Sequence, residues 1–218
     1  MYAHIKTTSG KLFVNADNEL LMNLSASIPR ITYGTSSKAD YKGSLVECNP
    51  FVKLKIENFN AEITTHLIGT YNLENLLAAA CIGHHFGLKN DEIKKGLESY
   101  VPQNNRSQVV QTKTNLLLMD AYNANPSSMR AAILNFAQMN QPNKMAILGD
   151  MLELGNDSEK EHKAIVELLL EKNITCVFLV GPEFEKHAST INARHFNTSE
   201  AAANFIAEHP INNSSILI

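Results

Sequence analysis

The stretch that decides the fold of this chain is LLLMDAYNANPSSMRAAI, residues Leu116–Ile133. It begins with an apolar run typical of a buried strand, passes through the polar turn DAYNAN, and continues with a helical pattern that starts at Pro126. A strand that leads through a short turn into a helix is half of a β–α–β unit. A purely structural turn needs few polar groups, so the acid, the tyrosine and the asparagines of this turn also indicate a site.

The same alternation continues to the last residue. Capping-box spacing of Ser158 and Glu161 predicts the start of one helix. Apolar strands that alternate with helices predict an α/β fold with a mostly parallel sheet covered on both faces. The predicted strands are NLLLMD, KMAILGD, TCVFLVG, ARHF and SSILI, and the predicted helices are PSSMRAAILNFAQM, SEKEHKAIVELLLEKN, PEFEKHAS and SEAAANFIAEH.

The first half has a different pattern. Strands are predicted in KLFVNAD, RITYGT, SLVECNPFVKLKI and AEITTHLI. Helices are predicted in DNELLMNLSA with Asp17 as its cap, in GTYNLENLLAAACIGHHFGL with Asn72 as its cap, and in NDEIKKGLESY. The polar segment VPQNNRSQVVQTKTN follows and is predicted to be a hinge. The chain is therefore expected to form two domains, residues 1–105 and 106–218.

Two loops of the second half are candidates for a binding site. Ligands of open α/β sheets bind beyond the carboxyl ends of the strands, where DAYNANP and GDMLELG lie. Asp120, Asp150 and Glu153 would then share one rim of the sheet. A carboxylate there can accept two ribose hydroxyls or pair with an ammonium group, and asparagine side chains suit peptide groups because they both donate and accept.

Several of these residues have plainer interpretations. Asn125 is also well placed as a helix cap, and Asp150 as a turn residue that binds its own backbone. Arg106 in the hinge could reach a phosphate from either domain, or could be an ordinary solvent-exposed arginine. His84 and His85 are adjacent on a helix and point apart, so they do not indicate a metal site.

The composition excludes several classes of protein. Hydrophobic residues make up 44% and charged residues 19% of the 218 residues, and the net charge of −3 gives no sign of a nucleic-acid-binding surface. No apolar run reaches the roughly 18 residues of a membrane span, and the N-terminus lacks a signal-peptide pattern. The three cysteines are far apart, and Cys81 and Cys176 lie in apolar runs typical of buried thiols. This favours a reducing cytoplasm over a disulfide framework.

Together, GTYNLENLLAAA, Arg106, MDAYNANPSSMRAAI and KMAILGDMLELG with the EH that follows resemble the Mur ligases. Within that family, YNANP followed by GDMLELG resembles the member that adds D-Ala-D-Ala to UDP-MurNAc-tripeptide. The resemblance implies a partial central ATPase-type domain followed by a Rossmann-like domain. It also implies ATP-dependent amide-bond formation, in which the tripeptide carboxylate attacks the γ-phosphate of ATP and the dipeptide amine attacks the resulting acyl phosphate.

The resemblance also implies roles for individual residues. It places Asn72 near adenine, Asp120 at the ATP ribose and Arg106 at the nucleotide where the two domains join. Many members carry a histidine at the position of Tyr71 and a second acid at the position of Met119. The implied nucleotide-binding residues are Tyr71, Asn72, Asn75, Arg106 and Asp120, and the implied D-Ala-D-Ala-binding residues are Tyr122, Asn123, Asn125, Asp150, Met151, Glu153 and His162.

No G-x-x-x-x-G-K-[ST] phosphate loop occurs in the sequence. The chain is therefore expected to be part of a longer ligase and to be inactive alone, with the Mg²⁺ ligands of the family also outside it. Its partners are expected to be ATP, UDP-MurNAc-tripeptide and D-Ala-D-Ala, acting on a cytoplasmic monomer with no nucleic acid and no membrane insertion. Two alternatives remain open: a non-catalytic nucleotide- or peptide-binding module, and another Mur-type amide ligase.

Overall fold

The computed structural model describes residues 2–7, 10–57, 59, 61–103 and 105–218. The chain divides into two compact units, Met1–Val101 and Pro102–Ile218, each with its own sheet. Within the described ranges, no helix has both the length and the apolar character needed to cross a membrane.

The first unit combines helices with a five-stranded sheet. Its elements are α1 (Tyr2–Thr7), β1 (Leu12–Asn15), α2 (Glu19–Leu24), β2 (Arg30–Gly34), β3 (Tyr41–Cys48), β4 (Phe51–Ile56), β5 (Ile63–Ile68), α3 (Asn72–His85) and α4 (Asn90–Ser99). The strands lie in chain order, with β1, β2 and β3 parallel and β3, β4 and β5 antiparallel. The sheet of this unit is therefore mixed.

Helix α3 forms the core of the first unit with this sheet. Its buried residues Leu73, Leu76, Leu77 and Ala80 recur at the spacing of one helix face. They pack with buried residues of β4 and β5 in one hydrophobic cluster. Gly43 of β3 permits this approach, because a Cβ at that position would overlap the side chain of Leu77.

The second unit alternates strands and helices. Its elements are β6 (Gln108–Gln111), β7 (Leu116–Met119), α5 (Pro126–Gln138), β8 (Lys144–Gly149), α6 (Ser158–Glu171), β9 (Cys176–Val180), α7 (Pro182–Ala188), β10 (Arg194–Phe196), α8 (Ser199–Glu208) and β11 (Ser215–Leu217). The six strands have the order β10-β9-β8-β11-β7-β6, and all neighbours are parallel except β6 and β7. The predicted α/β fold with a mostly parallel sheet is confirmed.

Burial along β8 shows that both faces of this sheet are covered. Met145 and Ala146 are consecutive and both buried, although successive side chains of a strand point to opposite faces. The covering helices contribute large core side chains, including Phe136 of α5 and Phe184 of α7, which are fully buried. Both faces of the sheet are therefore buried at β8, as predicted.

The predicted cap of α2 was wrong by one residue. The Asn18 side chain accepts the N–H of Leu21 at 3.0 Å, so Asn18 is the cap. Asp17 instead accepts the N–H groups of Thr35 and Ser36, both at 2.7 Å. Partial burial acts to raise the pKa of Asp17, but the hydrogen bonds from this loop outweigh it and lower the pKa.

Two further predictions in the second unit were wrong. A 3-10 turn precedes α6 and makes Asp157 the N-cap, so Ser158 and Glu161 form no capping box. The Ser158 hydroxyl donates to the carboxylate of Glu183 at 2.7 Å instead. Cys176, the first residue of β9, is exposed, whereas Cys81 is buried as predicted.

Candidate functional site

A pocket opens at the carboxyl ends of β7, β11 and β8. These three strands are parallel neighbours, so their ends meet at one edge of the sheet. The pocket has a volume of about 160 Å³, and Asp120, Asn123 and Ser128 contribute its polar groups. It lies where the chain returns to insert β11 between β7 and β8, a position at which α/β sheets bind ligands. Its apolar wall includes Ala121, Ala124, Met129, Ala132, Ile147 and Leu217.

Asp120 is held in place from two directions. Its N–H donates to the carbonyl of Ile218 at 2.7 Å, which continues the pairing of β7 with β11. Its carboxylate accepts the N–H of Ser107 at 3.0 Å. Ser107 is buried and has a left-handed backbone, with φ +49°. The segment before β6 therefore orients the carboxylate that lines the pocket.

Arg106 and Tyr122 contact each other rather than the pocket. The guanidinium carbon of Arg106 lies 3.5 Å from the ring centroid of Tyr122. Neither residue is among those that line the pocket, although Ala121 and Asn123 on either side of Tyr122 are. The structure thus places these two predicted site residues together at the edge of the DAYNAN turn.

Asn125 caps helix α5. Its side-chain oxygen accepts the N–H of Ser128 at 2.9 Å and the hydroxyl of Ser127 at 2.7 Å. Pro126 follows at the first helical position, as predicted. The capping interpretation of Asn125 is confirmed, and its contact with a dipeptide stays a prediction.

The second predicted loop, GDMLELG, is hydrogen-bonded to helices α6 and α7. Asp150 accepts the N–H of Glu183 at 2.9 Å and that of Phe184 at 3.1 Å, which satisfies N–H groups in the first turn of α7. Met151 is buried, and its N–H donates to Nε2 of His162 at 3.0 Å. His162 is fully buried, with its ring edge-on to Phe184 at 4.6 Å. These contacts fix the loop from inside the domain.

Gly181 allows Asp150 to reach α7. Its φ of +112° is a conformation that side chains rarely adopt, and a Cβ there would overlap the Asp150 carboxylate. Gly181→Ala is therefore expected to lower the free energy of unfolding by about 1–3 kcal/mol. Chemical denaturation checks this, with Gly96→Ala as control because a Cβ on the exposed face of α4 meets open space. Equal stability of the two variants would contradict the assigned role of Gly181.

Glu153 lies at the tip of the second loop. It is exposed and has φ +65°. This left-handed conformation is energetically unfavourable for residues other than glycine. Its neighbour Leu152 is 73% exposed, which is unusual for so large an apolar side chain. Glu153 does not line the pocket, and its contact with a substrate stays a prediction.

The predicted residues of the first unit lie at the start of α3. Asn72 is the first residue of the helix rather than its cap, and its buried side chain donates to the carbonyl of Ile68 at 2.7 Å. The predicted cap was therefore wrong. Asn75 donates to the Asn72 side chain at 3.0 Å, so it braces that residue. Tyr71 is half-buried and packs over Gly69, where a Cβ would overlap its ring.

The described residues contain no group of three or more His, Cys, Asp or Glu side chains that could hold a metal ion. Burial raises the pKa of the Cys81 thiol to about 11 and also raises that of Cys48. These two thiols are therefore protonated at neutral pH and are not activated nucleophiles.

Comparison with known families matches both units. The model of the Mur ligase glutamate ligase domain matches residues 105–217, and that of the Mur ligase middle domain matches residues 3–83. The chain belongs to the Mur ligase family. Mur ligases are ATP-dependent enzymes that form amide bonds, and the resemblance seen in the sequence is confirmed.

Individual relatives of this Mur ligase chain share one name. The UDP-N-acetylmuramoyl-tripeptide–D-alanyl-D-alanine ligase of Bacillus subtilis is 33% identical over 79% of the chain and 38% of its own length. The Escherichia coli enzyme of that name is 36% identical over 57% of the chain and 27% of its own length. A MurF crystal structure from Acinetobacter baumannii covers 95% of the chain with a TM-score of 0.75 and 26% identity. The chain spans 48% of that structure, or about half its length.

Three residues of this Mur ligase site were missed in the sequence. The sequence could have identified Ser128, because it lies three residues after the predicted cap Asn125, at capping-box spacing. Gly181 had a weaker signal, as a glycine between a strand and Pro182. No sequence pattern indicated Ser107, because its hydrogen bond to Asp120 joins residues 13 positions apart through the pairing of β6 with β7.

Proposed function

We propose that the complete protein carrying this chain is an ATP-dependent ligase that joins D-alanyl-D-alanine to UDP-N-acetylmuramoyl-tripeptide. The chain covers about half of its solved relatives, so the activity is assigned to the whole protein. The observation that carries the proposal is the pocket at the strand ends, whose polar groups come from the DAYNANP turn and the first turn of α5. The shared name of the relatives supports the choice of substrates.

The chemistry of the pocket suits a small dipeptide. Ala121, Ala124 and Ala132 form walls at which the methyl groups of D-Ala-D-Ala can pack. Asn123 and Ser128 can donate to and accept from its peptide group. In this proposal Tyr71, Asn72 and Asn75 serve the adenine side, and Asp120 binds the ribose of ATP.

The second loop has a supporting part in the proposal. Asp150, Met151 and His162 are occupied by contacts with α6 and α7, so we assign them to holding the loop in place. Among the predicted site residues of this loop, Glu153 at the exposed tip is then the one that can contact the substrate. A carboxylate at that point could pair with the ammonium group of the incoming dipeptide.

The proposed reaction needs little covalent chemistry from protein side chains. The tripeptide carboxylate takes the γ-phosphoryl group of ATP with release of ADP, and the dipeptide amine then displaces phosphate from the acyl group. Rate acceleration would come from holding the reactants together and from stabilising charge. The described residues offer no fitting set of Mg²⁺ ligands, so no step is assigned to the metal in this chain. The three free cysteines support a cytoplasmic enzyme, and we propose that it is a monomer.

The test of the proposed function is phosphate release from ATP by the complete protein given UDP-MurNAc-tripeptide. Release is expected to require D-Ala-D-Ala and to be absent with the 218-residue chain alone. A single amino acid such as D-glutamate, in place of the dipeptide, is the control for another Mur-type ligase. Release that is independent of every acceptor, or no release, would favour the binding module instead.

A further inference from the structure

Two contacts join the segment before β6 to the turn after β7. The guanidinium of Arg106 stacks on the ring of Tyr122 with 3.5 Å between its carbon and the ring centroid. The N–H of the next residue, Ser107, donates to Asp120 at 3.0 Å. Both contacts lie within the second unit. They hold the segment before β6 against the turn that lines the pocket.

The backbone on either side of Arg106 is left-handed. Asn105 has φ +57° and Ser107 has φ +49°, and neither is a glycine. This conformation costs a serine free energy and persists where surrounding contacts impose it, whereas an asparagine adopts it more readily. The orientation of the Arg106 side chain therefore depends on the backbone of its two neighbours as well as on its stack on Tyr122.

The ring of Tyr122 is directed toward Arg106 rather than into the pocket. Asp120, Ala121, Asn123 and Ala124 all line the pocket, and Tyr122 in the middle of this run does not. Tyr122 is nevertheless 62% exposed, so the ring is not needed to fill the core. The ring instead contacts a cation, the guanidinium of Arg106.

A stacked arginine is prepared to bind an anion. Stacking uses the face of the guanidinium, whereas hydrogen bonding uses the N–H groups along its edge, so both can hold at once. The stack restricts a side chain that would otherwise have many rotamers, and the planar edge matches two oxygens of a phosphate. We infer that Tyr122 is a positioning residue that holds Arg106 for an anionic group of the nucleotide, an inference that rests on the proposed function.

The experiment compares Tyr122→Leu with Tyr122→Phe in the complete protein. Tyr122→Leu removes the ring and is expected to raise KM for ATP about 2- to 5-fold, with KM for D-Ala-D-Ala unchanged. Tyr122→Phe keeps the ring and should restore the KM for ATP. In an Arg106→Ala background, Tyr122→Leu should cause no further change, because the stack is already lost. Binding of a non-hydrolysable ATP analogue with Mg²⁺, measured by calorimetry, should follow the same pattern.

A second stacked pair provides the matched control. The guanidinium carbon of Arg194 lies 4.1 Å from the ring centroid of Phe205, and neither residue lines the pocket. Arg194→Ala should therefore leave both KM values unchanged. The inference is overturned if Tyr122→Leu raises KM for D-Ala-D-Ala alone, if Tyr122→Phe behaves like Tyr122→Leu, or if the effects of Arg106→Ala and Tyr122→Leu add. Analogue binding tests the inference even if no dipeptide-dependent phosphate release occurs, which would refute only the proposed function.

Discussion

Asp120→Ala in the complete protein is expected to lower kcat/KM for ATP about 10- to 100-fold. This range corresponds to the loss of hydrogen bonds between a carboxylate and the ribose hydroxyls. The alanine variant also removes the acceptor of the Ser107 N–H, so the segment that carries Arg106 is released from the turn. This kcat/KM is measured from initial rates of phosphate release over a range of ATP concentrations, with both other substrates saturating.

Asp120→Asn separates these two effects. An asparagine can still accept the Ser107 N–H but carries no charge, so a ribose-binding carboxylate predicts a loss for Asn as well as for Ala. Glu200→Gln removes a charge from the exposed first turn of α8 and should leave kcat/KM for ATP unchanged. If Asp120→Ala binds ATP as tightly as the unchanged protein, Asp120 does not bind the ribose.

The strands and helices of the second unit were predictable because their hydrophobic patterns are strong. In β8, consecutive apolar residues indicated a strand buried on both faces, and Met145 and Ala146 are buried. Asn125 with Pro126 marked the start of α5 because capping depends on residues adjacent in sequence. Once the strand ends were located, the parallel topology placed Asp120 and Asn123 at one edge, where both line the pocket.

The exact helix starts were not predictable, since neighbouring polar residues competed for the same role. Asp17 and Asn18 are both good caps, and contacts with Thr35 and Ser36, 18 and 19 positions away, occupy Asp17. The 3-10 turn before α6 likewise moved the cap from Ser158 to Asp157. Such outcomes depend on tertiary contacts, which local spacing does not contain.

Side-chain directions at the site were also beyond the reach of the sequence. The turn DAYNAN indicated a site, but not that the ring of Tyr122 stacks on Arg106. The loop GDMLELG indicated a second contact region, but Met151 is buried and Asp150 binds the first turn of α7. The stack of Arg106 on Tyr122 and the bonds of Asp150 to α7 join residues far apart in the sequence, so local spacing does not contain them.

His162→Ala is expected to lower the free energy of unfolding by about 2–4 kcal/mol. The Met151 N–H donates to Nε2 of His162 at 3.0 Å, so Nδ1 carries the proton and donates to the carbonyl of Ser158 at 2.7 Å. An alanine leaves that N–H without its acceptor in the interior and opens a cavity beside Phe184. Urea denaturation measures the loss, and faster hydrogen exchange at the amides of Met151, Glu183 and Phe184 locates it.

His209→Ala is the matched control for His162→Ala. His209 is exposed at the end of α8, where its ring stacks on Phe205 at 4.3 Å, so its removal should change stability by less than about 1 kcal/mol. His162→Gln offers a side-chain oxygen to the Met151 N–H and should recover part of the loss. A His162→Ala variant with unchanged stability but a raised KM for D-Ala-D-Ala would instead make His162 a substrate contact. The loop would then have to open in solution, because a fully buried ring cannot reach a ligand from its position in this fold.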